Sequence, residues 1–192
     1  MIGIIDYGVG NLYSLACSFR AIGQEVIVSS DPEMLESAER LILPGVGAFE
    51  DAAKKLRAGG LDQFVLQQAA SGKPLMGICL GMQLLFEESF EYGRHKGLGL
   101  LEGRVVSMAD KLPGYLKVPH MGWNRLLDCR GKLLAPLPEE AYVYFVHSYF
   151  AENCEKSLAA VTEYGIPLTA AVEQDNIFGC QFHPEKKRKN RT

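Results

Sequence analysis

The sequence predicts an α/β fold: a mostly parallel central sheet with helices on both faces, and an antiparallel extension in the second half. Three observations predict it. Through the first half, short apolar runs of strand length alternate with helix-period segments, the pattern of βαβ units. Those runs are apolar at consecutive residues, as in strands covered on both faces. From about residue 105, strand-like runs follow one another across turns without long helices between them, which favours antiparallel pairing.

Ile2 to Ile5 is the first strand. The turn Tyr7-Gly8-Val9-Gly10-Asn11 leads into a helix from Leu12 to Ile22. Leu12, Leu15, Ala16 and Phe19 share one face of it, and Gly23 is its stop. Val26 to Val28 is the second strand. Asp31-Pro32-Glu33 opens a helix with an N-cap followed by proline. Leu41 to Leu43, the third strand, closes at Pro44-Gly45. Phe49 to Arg57 and Leu61 to Ala70 read as helices, Pro74 to Cys79 as a buried strand and Leu80 to Glu88 as a further helix. Val105-Val106, Trp123 to Leu127, Tyr142 to Phe150, Leu158 to Thr162, Thr169 to Glu173 and Ile177 to Phe182 read as strands. One domain is expected over residues 1–186. The polar, basic stretch 187–192 is expected to be a disordered tail.

Composition narrows the function. With 192 residues and 47% of them hydrophobic, the chain suits a single buried core. A net charge of −3 gives no basic footprint for nucleic acid. The five cysteines, Cys17, Cys79, Cys129, Cys154 and Cys180, are odd in number and contain no CxxC pair. That argues against a disulfide framework and a zinc site and fits a reducing cytoplasm. The N-terminus meets Asp6 too early for a signal peptide, with no basic region before it. No apolar run approaches the roughly 18 residues of a membrane span. Gly8-x-Gly10 lacks the third glycine of a dinucleotide fingerprint, since Tyr13 stands there. No cofactor and no metal are implied.

The strongest local signal is Gly77-Ile78-Cys79-Leu80-Gly81, placed at a strand-to-helix junction. This is the pattern of a nucleophile elbow, in which flanking glycines let strand and helix approach without a Cβ clash. The turn lifts the side chain out of the sheet, beside backbone N–H groups that favour thiolate and can hold an oxyanion. Read alone, the pentapeptide also fits a buried structural cysteine. A nucleophilic cysteine needs a base held by a third group. Phe182-His183-Pro184-Glu185 offers both, because Pro184 biases His183 towards an extended conformation and Glu185 follows within reach of the imidazole. Of the other histidines, His147 reads as a site-wall or packing residue, His120 as a loop residue and His95 as a surface residue.

Gly77-Ile78-Cys79-Leu80-Gly81-Met82-Gln83 together with Phe182-His183-Pro184-Glu185 resembles the class I, cysteine-dependent glutamine amidotransferases. Four further stretches resemble one branch of that family, the glutaminase subunits of imidazole glycerol phosphate synthases: Ile4 to Leu12, Leu43 to Phe49, Pro119 to Asn124 and Tyr144 to Tyr149. The resemblance covers residues 1 to about 186. It implies Cys79 as nucleophile, His183 as base and Glu185 as its orienter. Gly45, Val46 and Gly47 match the family's oxyanion strand, with the Leu80 N–H as the other donor. Gln83, Glu91, His147, Ser148 and Tyr149 match residues that bind L-glutamine. Asn11, Trp123 and Lys186 match positions near a (β/α)8-barrel cyclase subunit, the heterodimer partner that receives the ammonia for histidine biosynthesis.

One departure stands out. Family members continue past His-Pro-Glu-Lys into a serine- and glycine-containing turn and a closing helix, whereas here Lys186 runs into Lys187-Arg188-Lys189. The expectation is that part of a sheet face lies uncovered and that the loop carrying His183 and Glu185 is loosened. Other readings are the glutaminase of a different class I amidotransferase, such as the vitamin B6 or anthranilate type, a stand-alone cysteine hydrolase, and an inactive scaffolding homologue.

Overall fold

In the computed structural model, described for residues 1–186, the alternation of the first half becomes four parallel strands, which a fifth from the end of the chain joins. The chain begins β1 (Ile2–Ile5), α1 (Leu12–Ala21), β2 (Val26–Ser29), α2 (Pro32–Glu36) and β3 (Arg40–Leu43). It continues α3 (Phe49–Ala58), α4 (Leu61–Ala70), β4 (Leu75–Ile78) and α5 (Leu80–Leu84). Asn11 and Asp31 cap α1 and α2 through their side chains, accepting from the N–H groups of Ser14 and Glu33, so two helix starts are set by local sequence.

The second half comprises β5 (Phe86–Ser89), β6 (His95–Lys96), β7 (Leu101–Ser107), β8 (His120–Arg125), α6 (Gly131–Leu134), β9 (Tyr142–His147) and β10 (Tyr149–Glu152). It closes with β11 (Leu158–Glu163), β12 (Pro167–Gln174) and β13 (Ile177–Cys180). The central sheet has seven strands in the order β11-β12-β13-β4-β3-β1-β2. From β13 to β2 all pairings are parallel, while β12 and β11 add on antiparallel. The extension therefore divides: two strands join the main sheet, β10-β7-β5-β6 form a second sheet and β8-β9 a third.

Side chains alternate across the central sheet and build two cores. Ile5, Leu41, Leu43, Leu75 and Ile177 face Leu35, Phe49, Leu56 and Phe64 of α2 to α4. Ile2, Ile4, Ile42, Ile78 and Cys180 face Leu15 and Ala16 of α1 and Phe145 of β9. Helices thus cover both faces, as the sequence predicts.

Four expectations need correcting. The helix after Cys79 does not run to Glu88. It ends at Leu84, and Phe86–Ser89 is a strand whose residues pair with β7 and β6. The stretch Met82 to Phe86, apolar except for Gln83, serves both elements, and periodicity over so short a stretch does not separate them. Tyr142 to Phe150 is two strands rather than one, broken at Ser148, because β9 pairs with β8 and β10 with β7. His120 is not a loop residue: it opens β8 opposite His147 and is buried. His95, expected on the surface, lies in β6 with its side chain largely covered, 3.8 Å from Glu50. The expectation of a disordered tail at 187–192 lies outside the described residues. No helix among the described residues is long and apolar enough to cross a membrane.

Candidate active site

Three neighbouring parallel strands, β3, β4 and β13, deliver the candidate residues at their carboxyl ends, where ligands bind in open α/β sheets. Cys79 stands between β4 and α5 at φ 55°, ψ −114°, a conformation costly for a residue with a Cβ and persisting only where the surroundings impose it. Those surroundings are visible. The Cys79 N–H donates to the Cys180 carbonyl at 2.7 Å. A Cβ on Gly77 would lie 2.5 Å from the Gly81 carbonyl oxygen and 2.6 Å from Met82 N, and one on Gly81 would collide with the Leu43 carbonyl. Both glycines are required for close backbone approach, so the elbow reading of the pentapeptide holds geometrically.

His183 follows β13, and its Nδ1 lies 3.0 Å from Glu185 Oε1. The His183 backbone N–H also donates to the Tyr144 carbonyl at 3.0 Å. Its pKa is raised to about 10 by the neighbouring Cys79 sulfur and, second, by the Glu185 carboxylate. Hydrogen bonding to His183 in turn holds the Glu185 carboxyl below its usual range against the opposing effect of burial. Cys79, His183 and the candidate wall residues open on one hollow of about 540 Å³, a normal size for a small-molecule site.

The candidate oxyanion segment, Gly45 to Gly47, reaches that hollow through Val46 and Gly47. Gly45 is packed: a Cβ there would sit 2.6 Å from Gly81 N and 2.9 Å from Leu80 Cβ. Gly47 is open, with φ +93° and no atom of the described residues within 4 Å of a would-be Cβ, and Val46 between them is 45% exposed. The segment is pinned at both ends. The buried Tyr7 hydroxyl donates to the Pro44 carbonyl at 2.6 Å. The Glu91 carboxylate accepts from Phe49 N at 2.6 Å, supplying α3 with the cap that Ala48 lacks. Burial raises the pKa of both groups, by far the more in Tyr7. Tyr7 was absent from the sequence-derived site; its place just after β1 was the only available signal.

Gln83, His147, Ser148 and Tyr149 all line the hollow. Gln83 does so with its amide engaged, Nε2 donating to the Tyr149 carbonyl at 3.2 Å and to Gln181 Oε1 at 2.9 Å. Gln181 Nε2 reaches Cys79 Sγ at 3.6 Å. His147 is held neutral by burial, with its pKa depressed to about 3. Its Nδ1 lies 2.8 Å from the Tyr149 carbonyl, which only accepts, so that nitrogen carries the proton. His147 Nε2 then accepts from His120 Nδ1 at 3.0 Å. His120 itself is stacked between Phe145 and Tyr164, with centroids 4.9 and 4.3 Å away. Of the expected partner-facing residues, Trp123 and Lys186 converge on Tyr144, at 5.6 Å in T-shaped contact and 4.5 Å over the ring. Asn11 caps α1 instead, on an exposed turn. Gln181 and Tyr92, a further wall residue, were not found from sequence, since nothing local in either position marks a contact across the fold.

This fold and site define a class: the chain belongs to the class I glutamine amidotransferase family, whose profile (Glutamine amidotransferase class-I) matches residues 3–192. More particularly, it is 52% identical over 189 residues to the imidazole glycerol phosphate synthase subunit HisH of Bacillus velezensis, with 97% of this chain and 89% of that protein covered. It is 50% identical to the subunit of the same name from Sulfurimonas denitrificans, covering 99% and 93%. Among solved structures, one described as a glutamine amidotransferase superposes with a TM-score of 0.75 at 22% identity, covering 96% of this chain and 90% of that one.

Proposed function

We propose that this chain is the glutaminase subunit of an imidazole glycerol phosphate synthase, hydrolysing L-glutamine and passing the ammonia to a (β/α)8-barrel cyclase. The observation that carries the catalytic part is the opening of Cys79 and His183 on one hollow, with Glu185 behind the imidazole at 3.0 Å and Cys79 at a strained strand-to-helix junction. The likeness to HisH subunits favours this branch over the vitamin B6 and anthranilate types.

The chemistry follows from the groups present. Glu185 fixes the imidazole through Nδ1, leaving Nε2 for the reaction. With proton affinity raised by the sulfur and the carboxylate, His183 takes the Cys79 proton and leaves a thiolate. The sulfur attacks the side-chain carbonyl carbon of glutamine. The oxyanion is met by the Leu80 N–H, at the start of α5, and by an N–H of the Gly45–Gly47 segment. Collapse breaks the C–N bond, and His183 gives its proton to the departing ammonia. Water, deprotonated by His183, then opens the thioester, and glutamate leaves as the sulfur regains its charge. Gln83, Glu91, His147, Ser148 and Tyr149 form the glutamine-binding wall. Asn11, Trp123 and Lys186 face the cyclase, which combines ammonia with its phosphorylated ribulosyl substrate to give imidazole glycerol phosphate and an aminoimidazole carboxamide ribotide.

The test compares two nitrogen sources. In complex with the cyclase, Cys79→Ser abolishes synthesis from glutamine and retains synthesis from ammonia. Glutamine-dependent turnover surviving in Cys79→Ser removes the nucleophile. Loss of both activities points to a structural role for Cys79 and against this reading.

A further inference from the structure

Gln181 is fully buried between Cys180 and Phe182, two residues before His183. No step above uses it. A primary amide inside a protein is costly unless its groups are bonded, and here each bond has a direction that can be worked out. The fixed point is the Tyr149 carbonyl, which can only accept and which receives His147 Nδ1 at 2.8 Å. Gln83 lies 3.2 Å from that same oxygen, so the end it presents is nitrogen. That nitrogen is also 2.9 Å from one end of the Gln181 amide, which must therefore be oxygen. The other end of Gln181, the NH₂, is left facing Cys79 Sγ at 3.6 Å. Reversing Gln181 would set two NH₂ groups against each other. Reversing both glutamines would set the Gln83 oxygen against the Tyr149 oxygen.

We propose that Gln181 holds Cys79 as thiolate by donating a side-chain N–H to the sulfur, and that Gln83 fixes Gln181 in the orientation that allows it. The inference rests on the reading of Cys79 as nucleophile. An amide N–H donates more strongly to a charged sulfur than to a neutral one, so it lowers the cost of ionisation. The charged sulfur occurs twice in the cycle, before attack on the amide and as leaving group from the thioester. His183 is protonated when the free thiolate exists, then surrenders that proton to ammonia; Gln181 has no proton to lose and serves both steps. Gln181 touches the reacting atom and is a catalytic residue in that sense. Gln83 acts through it and is a positioning residue.

The experiment measures alkylation of Cys79 by iodoacetamide against pH in the full chain, with peptide mapping to separate it from the other four cysteines. In Gln181→Met the midpoint of the alkylation profile rises by about one unit, and the rate at neutral pH falls about tenfold. Gln83→Leu, which frees Gln181 without removing it, gives a smaller rise in the same direction. A purely structural role lowers the melting temperature and leaves the midpoint in place, so an unchanged midpoint in folded Gln181→Met overturns the proposal. Should that variant not fold, the wild-type chain still decides. The side-chain ¹⁵N-amide signal of Gln181 shifts as Cys79 ionises and again on alkylation; indifference to both overturns the proposal. Wild-type Cys79 reacting no faster than the other cysteines overturns the nucleophile reading itself, a result distinct from any effect confined to Gln181.

Discussion

The elbow around Cys79 and the Gly45–Gly47 segment beside it are built on opposite principles, although both are glycine-flanked and adjoin at Gly45 and Gly81. At the elbow, glycine is needed for lack of space: Gly77 and Gly81 press on the backbones of Met82 and Leu43. At Gly47, glycine is needed for its positive φ, and the space around it is empty. Sulfur is therefore placed by packing in all directions, whereas the Val46 peptide is placed only through its ends, by Tyr7 and Glu91. The sulfur-bearing turn is close-packed; the Val46 peptide is tethered at its ends and left in solvent.

The largest effect should come from breaking the packed side. Gly81→Ala drives a methyl into the Leu43 carbonyl, and neither backbone has room to retreat, because Leu43 is held in the central strand β3 and Gly81 in the first turn of α5, packed against it. A loss of more than about 4 kcal/mol, at the rare end for single substitutions, or failure to fold is expected by thermal or denaturant melting. Gly47→Ala tests the contrast: it strains a positive φ but meets no atom, so it leaves the fold intact. Equal damage from the two changes would erase the distinction drawn between them.

The next effect tests the tethered side. On the proposed oxyanion role of Gly45 to Gly47, a Val46 peptide N–H turned away would leave the tetrahedral intermediate short of one donor, costing about 2.7–4 kcal/mol or roughly 10²–10³ in rate. The free chain should hydrolyse glutamine slowly, and the cyclase carrying its substrate should switch it on by shifting the population. Glutaminase rates of the free chain, the bare complex and the loaded complex check this. Three equal rates would remove gating and favour a stand-alone hydrolase.

How much of this was legible in the sequence follows the same division. Parallel strands, the Asp31 cap and the elbow were readable because each depends on neighbours in the chain, as Asp31-Pro32 and Gly77 to Gly81 show. His183 and Glu185 were readable as a pair for the same reason. What escaped depends on long-range contact. Gln181 sits in a strand-like run that reads only as core, and its meaning comes from Gln83, 98 residues away. Tyr7 serves Pro44 across 37 residues. Glu91 enters only through the resemblance, and its bond to Phe49 N, 42 residues away, has no local mark. His120 looked like a loop residue because Pro119 precedes it, and only pairing with β9 buries it.

A third prediction concerns the wall that joins the packed side. His147 is buried and neutral, with its affinity for a proton well below the ordinary histidine value of 6.5; burial is the main cause, and His120 and His183 add to it. In the unfolded chain it takes up a proton near that ordinary value. Below about pH 6.5 the unfolded state therefore binds more protons, and stability falls as pH falls. Between pH 6.5 and 5 the loss from this group is about 2 kcal/mol, at 1.36 kcal/mol per unit. His183 has the opposite sign. Its contribution is complete below about 6.5 and is lost as pH rises towards 10. Urea midpoints at pH 7 and 5 should converge in His147→Gln relative to wild type. An acid-side loss that is unchanged in the variant would assign it to other groups.

The smallest effects separate the two tethers. Tyr7→Phe deletes the hydroxyl and leaves the buried Pro44 carbonyl without that donor, costing about 1.5 kcal/mol. Glu91→Gln keeps an oxygen able to accept from Phe49 N but removes the charge at the start of α3, costing about 0.5 kcal/mol. Stability alone would rank the two in that order. Catalysis should separate them in kind. Tyr7 is buried below the segment and does not line the hollow, so Tyr7→Phe should leave KM for glutamine near its original value and alter the factor by which the loaded cyclase accelerates the reaction. Glu91 borders the hollow as well as holding α3, so Glu91→Gln should raise KM along with any change in activation. Glutamine kinetics of each variant in the bare and loaded complexes supply both readouts. If neither variant changes the activation factor, the Val46 segment is not governed from its ends, and the contrast with the elbow reduces to a difference in exposure.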